Sequence, residues 1–150
     1  MAQSLARNLI HLIFSTKHRT PCLGPDIRAE LNAYLAGIHR EWESPVILVG
    51  SVEDHVHILF SLSKNHPLRK LVEEVKKGSS KWLKTKSDSF TGFHWQNGYG
   101  AFSVSQSNVE SVRTYIANQE QHHRKMSFQD EFREFLERHD IQYDELYVWD

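Results

Sequence analysis

Residues 46–62, VILVGSVEDHVHILFSL, decide how this chain folds. Two apolar runs, Val46 to Val52 and Val56 to Leu62, flank a short polar joint around Asp54. Their length and β-branched content predict two strands, and the short joint makes them a hairpin. His55 and His57 stand two residues apart at the start of the second strand. A strand points residues i and i+2 to one face, so both imidazoles face the same way.

The neighbours of this hairpin are helices. Upstream, Pro25-Asp26 opens a segment with Ile27, Leu31, Tyr34, Leu35 and Ile38 at helical spacing, ending near Trp42 before Pro45. Downstream, Pro67 opens a second helix with Leu68, Leu71, Val72, Val75, Trp82 and Leu83 on its apolar face. Gly78-Ser79-Ser80 weakens it midway and would permit close approach of another backbone. Outside the helices lie two more strands, Leu9 to Ser15 and Ala101 to Ser105, the latter after a loop over 85–100. Asn108 is the expected N-cap of a third helix, with Val109, Val112 and Ile116 inward, running to about Lys125. Ser127 to Asp130 forms a capping box for a last helix to about His139. Ile141 to Asp150 reads as a strand or an arm.

The order β-α-β-β-α-β-α-α is α+β, and its first six elements match the ferredoxin-like plan. That plan predicts an antiparallel sheet with helices packed on one face, and the third helix near the sheet. At 150 residues, with no repeat or linker, residues 1–150 are expected to form one domain. The single cysteine, Cys22, excludes an internal disulfide framework and points to a reducing, cytoplasmic setting. No stretch has signal-peptide order or the roughly 20 apolar residues of a membrane span, so no membrane role is expected. The net charge of −1 hides an asymmetry. Residues 1–126 carry 16 basic and 11 acidic side chains, and residues 127–150 carry 2 and 8. A basic body with an acidic extension keeps a nucleic-acid partner open.

The chemistry-bearing residues lie far apart in sequence. His55 and His57 offer two nitrogen donors to a metal ion, although two hydrogen-bonded structural histidines would show the same spacing. Tyr115 and Gln119 are four apart and share a helix face. A phenol is a poor nucleophile unless a cation makes the attacked phosphorus more electrophilic. If the two faces meet, the four side chains make a metal site with a nucleophile for cutting a phosphodiester. Attack by the phenol would store the bond energy in a phosphotyrosine link, so rejoining needs no external energy. His122, three residues after Gln119, is a rival ligand. The second helix places Lys70, Lys77, Lys81 and Lys84 on one face, suited to phosphate contact, although a solvated amphipathic helix has the same pattern. Lys17 and Arg19, in the turn after the first strand, are further candidate DNA contacts. Trp95, Tyr99 and Phe102 are candidates to stack on unpaired bases or to form a small core under the loop.

Four motifs in order give a resemblance. They are Asn8 to Pro21 (NLIHLIFSTKHRTP), Val52 to Leu59 (VEDHVHIL), Trp95 to Ser105 (WQNGYGAFSVS) and Tyr115 to Gln119 (YIANQ). Together they resemble the single-tyrosine HUH transposases of bacterial and archaeal insertion sequences, of the IS200-like superfamily, over nearly the whole chain. The resemblance implies that Tyr115 is the nucleophile and that His55, His57 and Gln119 bind Mg²⁺ or Mn²⁺. It implies C-terminal helices carrying the tyrosine, single-stranded DNA substrates with hairpins near the element ends, a homodimer and a prokaryotic cytoplasm. In such dimers the tyrosine helix of one subunit can serve the histidine pair of the other. Glu53 stands where many relatives have proline, and the acidic extension from about 127 to 150 has no role in this resemblance. Other readings are a domesticated nickase using the same chemistry, a non-catalytic single-stranded DNA-binding module, and a zinc hydrolase using His55, His57 and His122.

Overall fold

The computed structural model describes residues 2–150. Four strands, β1 (Asn8–Ser15), β2 (Val46–Ser51), β3 (His55–Leu62) and β4 (Gly100–Val104), form one sheet in the order β2-β3-β1-β4. Every neighbouring pair is antiparallel, as the ferredoxin-like plan requires. The β2–β3 hairpin is closed by Val52 N–H donating to His55 O at 3.1 Å.

Strand alternation divides the core in two. Leu12 and Phe14 of β1 and Val56, Ile58 and Phe60 of β3 face α1 (Pro25–Glu41) and α2 (Leu68–Lys84). The two helices pack against each other and bury Leu31, Leu35, Leu71, Val72, Val75 and Leu83 there. Trp95 belongs to this core, its indole N–H donating to Ser79 Oγ at 2.9 Å. Gly78 of α2 admits the side chain of Ile38, not a second backbone, so close helix packing is achieved with one side chain in the gap.

The opposite sheet face is also covered. Here lie α3 (Val109–Ala117), α4 (Gln119–Lys125) and α5 (Phe128–Arg138). Val109 and Ile116 of α3 pack with Leu9 and Leu59, while Phe128, Phe132, Phe135 and Leu136 of α5 pack with Ile13 and Phe102. The helices thus occupy both faces, not one, because both sets of alternating residues on β1 and β3 are apolar or buried. Phe102 is a core residue on this side, so of the three candidate stacking aromatics only Tyr99 stays open to solvent.

Two local expectations change, and an open one is decided. A 3₁₀ turn, Gln106–Asn108, precedes α3, and the Asn108 side chain makes no capping bond. The single helix expected to Lys125 breaks at Asn118 into α3 and α4. Of the two readings of residues 141–150, strand or arm, the structure has the arm, with turns along it. The Ser127 cap forms as read, its Oγ accepting from Asp130 N–H at 3.2 Å. Among the described residues no helix is long and apolar enough to cross a membrane.

Candidate active site

The site forms where β3 meets the three C-terminal helices. His55, His57 and Leu59 share the strand face that looks at α3, so the two imidazoles are carried inward together. Both are fully buried. Asp54 Oδ1 accepts from His55 Nδ1–H at 2.6 Å, which fixes that ring and turns Nε2 into the site. His11 Nε2 lies 2.7 Å from His57 Nδ1 and holds the second ring in the same way.

Tyr115 and Gln119 reach the same place within one chain. Gln119 Nε2 lies 3.0 Å from His55 Nε2, and the Tyr115 ring centroid is 5.9 Å from that of His57. The helix break at Asn118 leaves this convergence intact, because the chain continues through a helical turn with His122 N–H donating to Asn118 O. Close packing sets the position of α3. A Cβ on Gly50 of β2 would sit 2.6 Å from Ile116 Cγ2 and 3.0 Å from its carbonyl oxygen. Gly50→Val should therefore push α3 off the sheet at a cost of about 1–3 kcal/mol. Thermal melting would read that cost, and a variant as stable as the wild type would contradict it.

At the centre stands a residue that the motifs do not contain. Glu131 of α5 is only 3% exposed. Its Oε1 lies 2.9 Å from His57 Nε2 and 3.2 Å from His55 Nε2. Its Oε2 accepts from the Tyr115 hydroxyl and, at 3.1 Å, from the Gln119 amide. Phe128, Glu131, Phe132, Phe135 and Leu136 form one i, i+3, i+4, i+7, i+8 stripe, so a carboxylate in an apolar stripe was the available sequence signal.

Electrostatics follow from burial and these neighbours. Burial opposes charge on Glu131, but the two histidines outweigh it and hold its carboxyl well below the usual carboxylate range. Burial likewise opposes charge on His55, yet Asp54 and Glu131 raise its pKa. Burial prevails at His57 and lowers it. Burial first, then Glu131, pushes the Tyr115 phenol above its ordinary value, so the hydroxyl keeps its proton.

The donor set suits a divalent cation. His55, His57 and Glu131 place one ligand atom each within 4.8 Å of the others. Gln119 Oε1 is buried without a hydrogen-bond partner, a neutral oxygen left over at the edge of that cluster. His122 does not join the cluster. Its ring stacks on Tyr115 at 4.3 Å, which removes the ligand set of the zinc-hydrolase reading. His123 instead donates to Glu53 Oε1 at 3.0 Å.

The candidate DNA contacts fall on two elements, the turn after β1 and α2. Lys17 and Arg19 lie in a 3₁₀ turn where His18 and Arg19 adopt left-handed backbone angles, φ 56° and 57°. The Arg19 guanidinium sits 5.8 Å from the Trp149 ring. Lys70 pairs with Glu74 at 3.1 Å along α2, whereas Lys77, Lys81 and Lys84 are exposed. Lys77 borders a groove lined also by Arg69, Lys76, His94 and Tyr99. Lys76 has a structural task there, donating to the carbonyls of Gln96 and Gly98, and burial pulls its pKa down to about 8.

Residues 4–119 match the protein family Transposase IS200 like. No curated protein sequence matches the chain. Among solved structures, a candidate transposase from Deinococcus radiodurans R1 is 23% identical, with a TM-score of 0.62 over 79% of this chain and 98% of that one. A REP-associated tyrosine transposase bound to a REP hairpin is 13% identical, with a TM-score of 0.52 over 77% of this chain and 67% of that one. At these identities the two structures speak for the fold. The family match is broader evidence, running from before β1 through both histidines and Tyr115 to Gln119. The chain belongs to the IS200-like transposase family.

Proposed function

We propose that this transposase cuts and rejoins single-stranded DNA through a covalent link to Tyr115, with a divalent ion, Mg²⁺ or Mn²⁺, held by His55, His57 and Gln119. The single observation that supports this reading is the meeting of half-buried Tyr115 with buried Gln119 and both buried histidines in one cluster of one chain. The ion, when bound, polarises the scissile phosphate and offsets the charge that develops on it. Asp54 and His11 orient the two imidazoles, and the α3–α4 junction presents the phenol and the amide together. Tyr115 Oη forms a bond to phosphorus and loses its proton as the bond from phosphorus to the 3′-oxygen breaks. The leaving oxygen takes up a proton, giving a 5′-phosphotyrosine and a free 3′-hydroxyl. Rejoining is the reverse attack by a 3′-hydroxyl, with the tyrosine as leaving group.

We assign residues 1–150 to one such domain acting as a homodimer on hairpin-bearing element ends, with phosphate contacts from Lys17, Arg19, Lys70, Lys77, Lys81 and Lys84. Because each protomer assembles its own cluster, the dimer need not exchange tyrosine helices for chemistry. The test is a denaturing gel of the protein with Mn²⁺ and single-stranded DNA from the ends flanking its gene. A slow band carrying both protein and the 5′-side label of the downstream fragment is expected. Binding without such a band across Mg²⁺ and Mn²⁺ would favour the non-catalytic DNA-binding module instead.

A further inference from the structure

We infer that Glu131 is a further protein ligand of the divalent ion, supplied by a helix outside the residues that match the family. This inference rests on the metal-dependent reading above. The matched residues end at Gln119, and α5 begins at Phe128. A buried carboxylate needs a counter-charge or a dense set of donors. Among the described residues Glu131 pairs with no lysine or arginine. Its partners are His55, His57, Gln119 and Tyr115, which are the proposed ligands and the proposed nucleophile. In the ion-free site the two imidazoles and the Tyr115 and Gln119 donors satisfy the carboxylate, and a cation bound among the same atoms would take over that role.

Separations agree with that role. Ligand atoms about 2.1 Å from an octahedral ion lie roughly 3.0 Å from their neighbours. Glu131 Oε1 is 2.9 Å from one imidazole nitrogen and 3.2 Å from the other. The Gln119 amide is 3.0 Å from His55 Nε2, and turning that amide by half a rotation aims its unpartnered oxygen at the histidines. Two imidazole nitrogens, a carboxylate oxygen and an amide oxygen make a donor set that suits Mn²⁺.

The helix holding Glu131 is built into the fold. Phe128 packs its ring 4.7 Å from that of His55, and Phe135 sits 5.0 Å from His11. Phe132 fills the space over Gly100, where a Cβ would meet the ring at 2.5 Å. The Ser127 cap fixes the start of the helix. Residues three before and one and four after Glu131 therefore hold its carboxylate at the histidine pair, which distinguishes it from the exposed acids of the same segment.

Isothermal titration of the full chain with MnCl₂, without DNA, tests the assignment. Wild type, Glu131→Gln and His57→Ala are compared, with melting of the metal-free proteins as the check on folding. Glu131→Gln keeps the side-chain shape and removes its charge. It should weaken Mn²⁺ binding at least about tenfold and reduce the Mn²⁺-induced rise in melting temperature. Glu131→Asp, which draws the carboxylate back by one methylene, should also weaken binding and carries the test if Glu131→Gln fails to fold. Wild-type affinity in either folded variant, with His57→Ala defective, would overturn the assignment and leave the metal-dependent reading standing. Tighter binding in Glu131→Gln would also overturn it, marking Glu131 as a plug. No Mn²⁺ binding by the wild type would remove the metal-dependent reading and this inference together.

Discussion

Tyr115→Phe should bind single-stranded DNA as the wild type does and form no covalent adduct with it. The substitution removes one oxygen atom and little else. The ring stays packed against His57, His122 and Phe135, and the backbone is unchanged. The lost hydrogen bond leaves Glu131 Oε2 with the Gln119 amide as a donor, so the stability cost should be about 1 kcal/mol. Adduct formation should fall at least about 10³-fold, because loss of a covalent nucleophile removes the reaction path itself. Denaturing gels with 5′-labelled downstream strand measure the adduct, and peptide mapping of the wild-type adduct locates the phosphate. Trapping of Tyr115→Phe at wild-type yield, or a phosphate mapped to Tyr99, would remove the assignment. The raised phenol pKa gives the experiment a second edge. In the ion-free site Glu131 accepts the hydroxyl proton's hydrogen bond and the phenol stays neutral, so wild-type adduct should also depend on added Mn²⁺.

The parts of this site that could be read in the sequence are those fixed by one element's own period. Strand alternation alone places His55 and His57 on one face, and one helical turn brings Tyr115 and Gln119 together despite the break at Asn118. The hairpin and its flanking helices likewise follow from local apolar spacing, which is why the antiparallel ferredoxin-like sheet emerges as expected. What could not be read depends on how elements dock. His11 looks like an odd polar residue in an apolar strand until β1 pairs with β3 and its Nε2 meets His57. Glu131 sits among the acidic residues of the C-terminal extension, and its place in the apolar stripe of α5 is the one local sign that it turns inward. The apolar stripe flanking it was visible, but its meaning required the sheet's second face to be uncovered and the histidines to lie there. Trp95 and Phe102 went the other way: residue types suited to base stacking were used as core, because each falls on a buried side of the sheet or its loop.

His57→Ala should lose metal-dependent cleavage, and its failure should differ in kind from that of Tyr115→Phe. His57 is fully buried, as His55 is, and is held by His11 on one nitrogen and faces Glu131 with the other. Truncation removes an ion donor, opens a cavity beside Ile13 and leaves His11 Nε2 and Glu131 Oε1 each short of a partner. A destabilisation of about 2–4 kcal/mol follows from the cavity and the lost bonds. Cleavage should fall at least about 10²-fold with no recovery at high Mn²⁺, whereas Tyr115→Phe should still bind the ion. His55→Ala separates site loss from fold loss, because its ring lies at the start of β3, capped by Asp54 and Phe128, where truncation disturbs less of the sheet. Both alanine variants should therefore be inactive while differing in melting temperature, and both should retain DNA binding at temperatures where they remain folded. Cleavage at the wild-type rate in either variant, or in chelator-treated wild type, would remove the metal role. The two kinds of loss, of nucleophile with the ion retained and of ion with the nucleophile retained, are what a site with separate phenol and imidazole duties requires.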